Sequence, residues 1–187
     1  YALVESAEAS DASPYGRMKG FHGQFGVFVR TLSYMMSMGA DGLAQAASDA
    51  VLSANYILAG LSDDLTLSYE GPCMHEVLFD DRFLAETEVT TLDFAKAMID
   101  EGVHPMTMYF PLVVHGALLM EPTETESLAS LDQYIGMVKS LARRAKQGEV
   151  AAFKEAPRLA PRRRLDETTA ARNPVLRWLP GDKAAAE

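Results

Sequence analysis

The spacing of hydrophobic residues has a helical period over the first third of the chain. Apolar side chains recur at helical spacing from about residue 24 to 38 and again from about 41 to 61, with Gly39 between the two segments. Two consecutive helices joined at a glycine predict a helical hairpin. The first segment is apolar on most sides, which predicts that it is deeply buried.

Beyond residue 62 the hydrophobic period shortens to two. Residues 65–69 and 73–79 alternate between successive positions, so both segments are predicted to be strands. In a pleated strand over 73–79, His75 and Glu76 would face opposite sides. The remaining predicted elements are helices over about 91–101, 125–147 and 149–155 and strands near 106–109 and 117–121.

This order of elements predicts an α+β fold, with helices packed on a small mixed or antiparallel sheet and a helical hairpin in front of it. We expect a flexible lead over residues 1–14 and the hairpin over 15–62. The small α+β domain is expected over 63–156, followed by an irregular docking tail over 157–187.

Two short segments have the Ser/Thr-x-x-acid spacing of a helix capping box. Thr90 and Asp93 open the helix predicted from about residue 91. Thr123 and Glu126 have the same kind of spacing within Glu121-Pro-Thr-Glu-Thr-Glu-Ser127, just before the long helix. Capping is the favoured interpretation of this turn, and its three carboxylates leave a role at a cleft open.

Composition narrows the class of protein. A net charge of −9 over 187 residues argues against a general nucleic-acid binder, and no apolar run approaches the roughly 20 residues that span a bilayer. The single cysteine excludes an internal disulfide framework. With no signal-peptide pattern at the start, these features predict a cytoplasmic protein. Because the chain opens without methionine, we expect it to be part of a longer protein.

Several residues invite a chemical interpretation, each beside a structural alternative. The four histidines lack the close spacing of metal ligands, so no metal site is predicted. His75 and Glu76 fit two interpretations equally well: a core histidine with a hydrogen-bond partner, or a residue that faces a functional cleft. The basic run at 162–164 would meet phosphate or form a solvated turn. Arg172 would form a bidentate ion pair with a carboxylate, or its segment would be held on the domain by packing of Leu176 and Trp178.

The ordered motifs of the chain resemble the C-terminal part of the glycine decarboxylase P-protein family, and most closely subunit 2 of the split bacterial form. The resemblance covers about residues 15–178. The matching segments are Tyr15-Gly-Arg-Met-Lys-Gly-Phe21, Gln24-Phe-Gly-Val-Phe-Val-Arg30, Ala50-Val-Leu-Ser-Ala-Asn-Tyr56, Cys73-Met-His-Glu76, Thr91-Leu-Asp93, His104-Pro-Met-Thr-Met-Tyr-Phe-Pro111, Glu121-Pro-Thr-Glu-Thr-Glu-Ser127, Arg164-Leu-Asp166 and Ala171-Arg-Asn-Pro-Val-Leu-Arg-Trp178.

The resemblance implies a fold-type-I, aminotransferase-like enzyme that uses pyridoxal phosphate. This chain would supply the end of its large domain, which is the helical hairpin, and its small C-terminal domain. The family decarboxylates glycine and passes the aminomethyl group to the lipoyl group of the H-protein, and the split form works with a P-protein subunit 1. No His-Lys pair is present in the sequence. We therefore expect the Schiff-base lysine to lie upstream, and this chain to be inactive by itself, with no catalytic residue of its own.

Eight residues are the resulting candidates for the active cleft or a subunit interface. In the stretch Phe21-His-Gly-Gln-Phe-Gly26, His22 and Gln24 stand where a tyrosine and an asparagine are expected in many relatives. His22 therefore departs from the family pattern. An alternative function is a non-catalytic oligomerisation module that uses the apolar first helix and the Trp178 tail. The candidates are His22, His75, Glu76, Glu121, Thr123, Glu124, Arg172 and Asn173.

Overall fold

The computed structural model describes residues 22–177, which fall into two compact units divided between Leu43 and Ala44. Helix α1 is assigned over Phe25–Leu61, and Gly39 interrupts its helical geometry with φ 63° and ψ −178°. Such a positive φ suits glycine, which has no Cβ to clash. Helical segments therefore lie on both sides of Gly39 as predicted, while the packing of one segment on the other stays a prediction.

The large apolar side chains of the first segment of α1 are exposed among the described residues. Phe25 and Met36 are each 76% exposed, and Leu32 is 58% exposed. The prediction of deep burial was wrong because an apolar helix surface shows only what a segment can bury. Burial also requires a partner surface.

The second unit contains a four-stranded antiparallel sheet in the order β1-β2-β4-β3. In the central pair, Val77 lies opposite Met120 and Phe79 lies opposite Leu118. The prediction of a small α+β sheet is confirmed, and the sheet is antiparallel rather than mixed. The strands are β1 (Thr66–Leu67), β2 (Val77–Asp80), β3 (Thr107–Met108) and β4 (Leu118–Met120).

The helices of the second unit follow the predicted order. The Thr90–Asp93 capping box is present, because the Thr90 hydroxyl accepts from the Asp93 amide and the Asp93 carboxylate accepts from the Thr90 amide. A 3₁₀ turn and α5 were not predicted, since both are too short to establish a period. The elements are the 3₁₀ turn (Asp81–Leu84), α2 (Thr91–Asp100), α3 (Leu128–Lys146), α4 (Val150–Glu155) and α5 (Glu167–Arg172).

The cap of α3 is Ser127 rather than Thr123. The Ser127 hydroxyl accepts from the Ser130 amide at 3.1 Å, and α3 begins at the next residue, Leu128. The predicted box of Thr123 and Glu126 was therefore wrong. Thr123 has φ 42°, a left-handed conformation in which threonine is uncommon. The hydroxyl nearest to the apolar stripe caps the helix, and the spacing of the two upstream residues is coincidental.

The core lies between the sheet and helices α2, α3 and α4, and the end of α1 contributes to it. Phe94 is its centre, with Phe83 edge-on at 5.5 Å and Phe153 stacked at 6.3 Å between ring centroids. Ile57 and Leu61 bring the last turns of α1 into the same cluster. This packing fixes α1, β4 and α3 as rigid borders for the site described below.

A buried carboxylate ties the tail to this domain. The Asp93 side chain is 3% exposed and forms ion pairs with Lys154 at 2.6 Å and Arg164 at 2.8 Å. Burial raises the pKa of Asp93, but hydrogen bonds from Lys154, Thr90 and Arg164 outweigh it and lower the pKa to about 2. Arg164 also donates to the Ala156 and Phe153 carbonyl oxygens, so this member of the basic run is structural rather than a solvated turn.

The end of the tail behaves differently from its beginning. Leu176 is 90% exposed, so its predicted role as a staple was wrong, and Trp178 lies outside the described residues. The predicted irregular tail contains α5, which has no buried residue. Within residues 22–177, no helix is long and apolar enough to cross a bilayer.

Candidate functional site

A cleft of about 560 Å³ lies in the second unit beside the β3–β4 side of the sheet. Four parts of the fold form it: the end of α1, the loop after α2, strands β3 and β4, and the first turns of α3. Its lining residues are Ile57, Gly102, Val103, His104, Pro105, Met106, Thr107, Leu119, Met120, Glu121, Pro122, Glu126, Ser130, Leu131, Gln133 and Tyr134.

The lining of the cleft combines an apolar wall with acidic groups. Glu121 and Glu126 supply carboxylates, His104 supplies an imidazole, and none of the lining residues is lysine or arginine. Burial raises the pKa of the Tyr134 phenol, so this side chain stays neutral and can donate a hydrogen bond. The cleft therefore suits an uncharged or cationic group better than a phosphate.

Three of the candidate residues lie together, and one of them, Glu121, also lines this cleft. The Nε2 atom of His75 lies 3.8 Å from Oε1 of Glu76 and 4.0 Å from Oε1 of Glu121. Their side chains are 54%, 40% and 52% exposed, respectively. We call this group the His75 cluster; it consists of His75, Glu76 and Glu121.

Strand pairing explains how these three residues meet. Val77 at the start of β2 lies opposite Met120 at the end of β4, so Glu76 and Glu121 leave the same edge of the antiparallel pair. His75 and Glu76 precede β2 and are not part of it. The prediction that they face opposite sides was wrong, because the alternation of a pleated strand applies only inside the strand.

The His75 cluster has the donor types that a divalent cation uses. Its imidazole nitrogen and two carboxylate oxygens all lie within 4.8 Å of one another, and zinc binds such nitrogen and oxygen ligands. All three side chains are partly or fully exposed, and exposed carboxylates are common without an ion. The sequence-based expectation of no metal site stays a prediction.

The two other candidates of the acidic turn lie outside the cleft lining. Thr123 is half-buried, and its hydroxyl lies 3.0 Å from that of Thr125. Glu124 is exposed. The structure thus divides the turn, since Glu121 and Glu126 border the cleft whereas Thr123 shapes the backbone between them.

The remaining candidates are placed as follows. His22 lies in the first unit and is exposed. Arg172 is the last residue of α5 and is exposed, and the Asn173 amide donates to the Thr169 carbonyl at 2.8 Å. Neither residue lines the cleft. A role for these three at a cleft or interface stays a prediction.

Sequence reasoning did not select several polar residues of the site as candidates. His104, Glu126 and Tyr134 line the cleft, and Asn55 binds the backbone of Cys73 just before the His75 cluster. His104 lies between Gly102, which follows α2, and strand β3. A histidine in a short loop that leads into a strand could have been recognised from the sequence as a candidate at the sheet edge. Asn55 lies within the matching segment Ala50–Tyr56 but was not singled out there. Tyr134 had no signal, since it looks like an ordinary residue of an amphipathic helix.

The loop between β3 and β4 exposes an apolar tip on a well-held base. Phe110, Leu112 and Val113 are 56%, 88% and 84% exposed. At the base, His115 Nδ1 lies 3.0 Å from Asp81 Oδ1, and the Asp81 carboxylate raises the pKa of His115 through a hydrogen bond and its charge. We call residues 110–113 the β3–β4 loop tip.

Comparison with known proteins gives one consistent family. The family described as "Glycine dehydrogenase, C-terminal domain" matches residues 46–161. A "Probable glycine dehydrogenase (decarboxylating) subunit 2" of Caulobacter vibrioides is 62% identical over 182 residues, which cover 96% of this chain and 35% of that protein. Proteins with the same name from Kosmotoga olearia and Thermotoga maritima are 46% and 43% identical, over 90% and 87% of this chain and 35% and 34% of their own lengths. The chain thus spans about a third of the curated relatives that it matches.

Proposed function

The chain belongs to the glycine dehydrogenase C-terminal domain family, and we propose that it works as the C-terminal part of a glycine decarboxylase P-protein, subunit 2 of a split enzyme. The observation that carries the proposal is the family match over residues 46–161 together with 62% identity to a subunit 2 protein. The α+β architecture and its antiparallel sheet fit a small C-terminal domain of this kind. Assignment of the complete enzyme to fold type I is part of the proposal.

The complete enzyme would use pyridoxal phosphate to decarboxylate glycine and would transfer the aminomethyl group to the lipoyl group of the H-protein. Its partners would be subunit 1 and the lipoylated H-protein. A cytoplasmic location is proposed with this activity. These statements concern the whole protein, of which this chain corresponds to about a third by the length of its relatives.

The lining of the cleft does not fit pyridoxal phosphate as a ligand. The cleft is lined by Glu121 and Glu126 and by no lysine or arginine, so it offers a phosphate group repulsion instead of ion pairs. Lys139 and Lys154 are engaged with Asp64 and Asp93. The proposal therefore places the cofactor and its lysine in the rest of the enzyme.

The contribution of this chain would be one wall of the active cleft. The His75 cluster places an imidazole beside two carboxylates, one of which, Glu121, lines the cleft, and such carboxylates accept hydrogen bonds from ammonium groups and other donors. The apolar wall behind Glu121 would exclude water from whatever enters the cleft. Substrate binding and orientation, rather than bond breaking, are the proposed tasks of these residues.

The isolated chain provides the first experiment. Mixed with pyridoxal phosphate and glycine, it should show no more aldimine absorbance than the same mixture without protein and should release no CO₂. The same mixture with the complete subunit 2, subunit 1 and lipoylated H-protein should show both. Turnover by the isolated chain would overturn the proposed division between this part and the rest of the enzyme.

A non-catalytic interaction module is the second candidate function, because apolar side chains are exposed at two places. The first segment of α1 exposes Phe25, Leu32 and Met36, and the β3–β4 loop tip exposes Leu112 and Val113. Sedimentation of the isolated chain tests this candidate. A monomer at all concentrations would argue against a dominant role in self-association, whereas a concentration-dependent oligomer would favour it.

A further inference from the structure

Asn55 forms hydrogen bonds with both backbone groups of Cys73. Its Nδ2 atom donates to the Cys73 carbonyl at 2.7 Å, and its Oδ1 atom accepts from the Cys73 amide at 3.0 Å. A side-chain amide has the same donor and acceptor as a peptide group. Asn55 therefore binds Cys73 as a neighbouring strand would.

The segment that Asn55 holds has no strand partner in the sheet. Strand β2 begins at Val77, so Cys73 to Glu76 approach the sheet without ladder hydrogen bonds from it. Only Met74 separates Cys73 from His75. Fixing the Cys73 peptide consequently limits where the His75 imidazole and the Glu76 carboxylate can lie relative to Glu121.

Asn55 is itself on a well-anchored turn of α1. The neighbouring residues Ser53, Ala54 and Ile57 are buried, and Asn55 Nδ2 also donates to the Val51 carbonyl at 2.8 Å. The next residue, Tyr56, donates its hydroxyl hydrogen to Asp132 Oδ1 of α3 at 2.5 Å. One turn of α1 thus holds the approach to the His75 cluster and also contacts the helix that lines the cleft.

We propose that Asn55 is a positioning residue that acts through the Cys73 backbone to hold His75 and Glu76 beside Glu121. Its importance for activity rests on the proposed function, in which the His75 cluster borders the active cleft. Its effect on local geometry does not, and the two parts are tested separately.

The local geometry is tested through the Cys73 thiol. Cys73 is half-buried, and burial raises the pKa of its thiol, so alkylation at neutral pH should be slow. Asn55→Ala removes both hydrogen bonds, and Asn55→Asp keeps the acceptor but sets a carboxylate oxygen against the Cys73 carbonyl. Gln45→Ala is the matched control, because it removes an exposed amide from the same helix.

Alkylation by iodoacetamide is followed in the full-length protein, on the Cys73 peptide, by mass spectrometry, and thermal midpoints are measured alongside. Both Asn55 variants should react about tenfold faster, the factor expected when local opening becomes easier by roughly one net hydrogen bond. Gln45→Ala should react as the wild type does. Unchanged alkylation in both Asn55 variants would overturn the proposal.

Activity is tested by a double-mutant cycle of Asn55→Ala and His75→Ala in the assembled enzyme. If Asn55 acts through the His75 segment, its effect on kcat/KM for glycine should largely disappear in the His75→Ala background. Independent, multiplicative losses would show a merely structural role and would overturn the proposal. If the wild-type assembly fails to decarboxylate glycine, the proposed function fails, and the alkylation result still decides whether Asn55 holds the segment.

Discussion

The buried Asp93 carboxylate offers a quantitative test of how the tail is held. Asp93→Asn preserves the size of the side chain and an acceptor for the Thr90 amide, but it removes the charge that pairs with Lys154 and Arg164. The pKa of Asp93 is about 2 against an ordinary value of 3.8. This difference corresponds to about 2 kcal/mol of stability at neutral pH.

The sign of the pH dependence follows from the lowered pKa. The folded protein holds Asp93 ionised more strongly than the unfolded chain does, so its contribution is complete above the ordinary pKa of 3.8 and is lost as the pH falls towards about 2. Lys154 and Arg164 are 46% and 31% exposed. Both cations can regain water when the carboxylate charge is removed. The expected loss of stability is therefore smaller than the roughly 3–5 kcal/mol of a fully buried pair that loses one partner.

Urea unfolding measured between pH 2 and pH 7 is the assay. Asp93→Asn should lower the free energy of unfolding by about 2 kcal/mol at pH 7, and the difference from the wild type should shrink progressively below pH 4. Asp63→Asn, at an exposed aspartate, is the matched control and should have little effect. A loss at Asp93 that is the same at pH 7 and pH 2 would refute the electrostatic explanation.

Three further predictions concern single contacts. Ser127→Ala should lower the free energy of unfolding in urea by about 1 kcal/mol because it removes the α3 cap, whereas Thr123→Ala should lower it clearly less. A larger loss for Thr123→Ala would show that Thr123 is the capping residue. Gly116→Ala should lower the free energy of unfolding by more than about 1 kcal/mol in the same assay, since Gly116 has φ 57° and a Cβ there would overlap the Asp81 carboxyl group. An unchanged free energy of unfolding would contradict this backbone geometry. Because the Asp81 carboxylate raises the pKa of His115, their ion pair stabilises the fold below that pKa, and this contribution is lost as the pH rises through it. An NMR titration should show a lower pKa for His115 in Asp81→Asn than in the wild type. An unchanged pKa would contradict the ion pair.

Local patterns predicted the parts of the fold that local interactions determine. The Thr90–Asp93 box was identified correctly because two backbone hydrogen bonds are satisfied within four residues. The same spacing failed at Thr123, where the competing Ser127 lies closer to the apolar stripe of α3. Sequence spacing alone does not show which of two capping residues the helix selects.

Predictions that depended on distant partners were less successful. The pleat argument separated His75 from Glu76, and the structure joins both to Glu121 because β2 and β4 pair in a register that the sequence does not reveal. The burial predicted for the first segment of α1 is not seen among the described residues, where Phe25, Leu32 and Met36 are exposed. The family resemblance found Glu121 and the 73–76 segment, but it did not identify Asn55 or Tyr134, whose roles arise from contacts across the fold.

Release of CO₂ from carboxyl-labelled glycine by the assembled enzyme tests the central claim most directly. The full-length protein with subunit 1 and lipoylated H-protein should release labelled CO₂. Glu121→Gln should lower kcat/KM for glycine by roughly tenfold with an unchanged thermal midpoint. Absence of labelled CO₂ from the assembled wild-type enzyme would contradict the claim that this chain is part of a glycine decarboxylase.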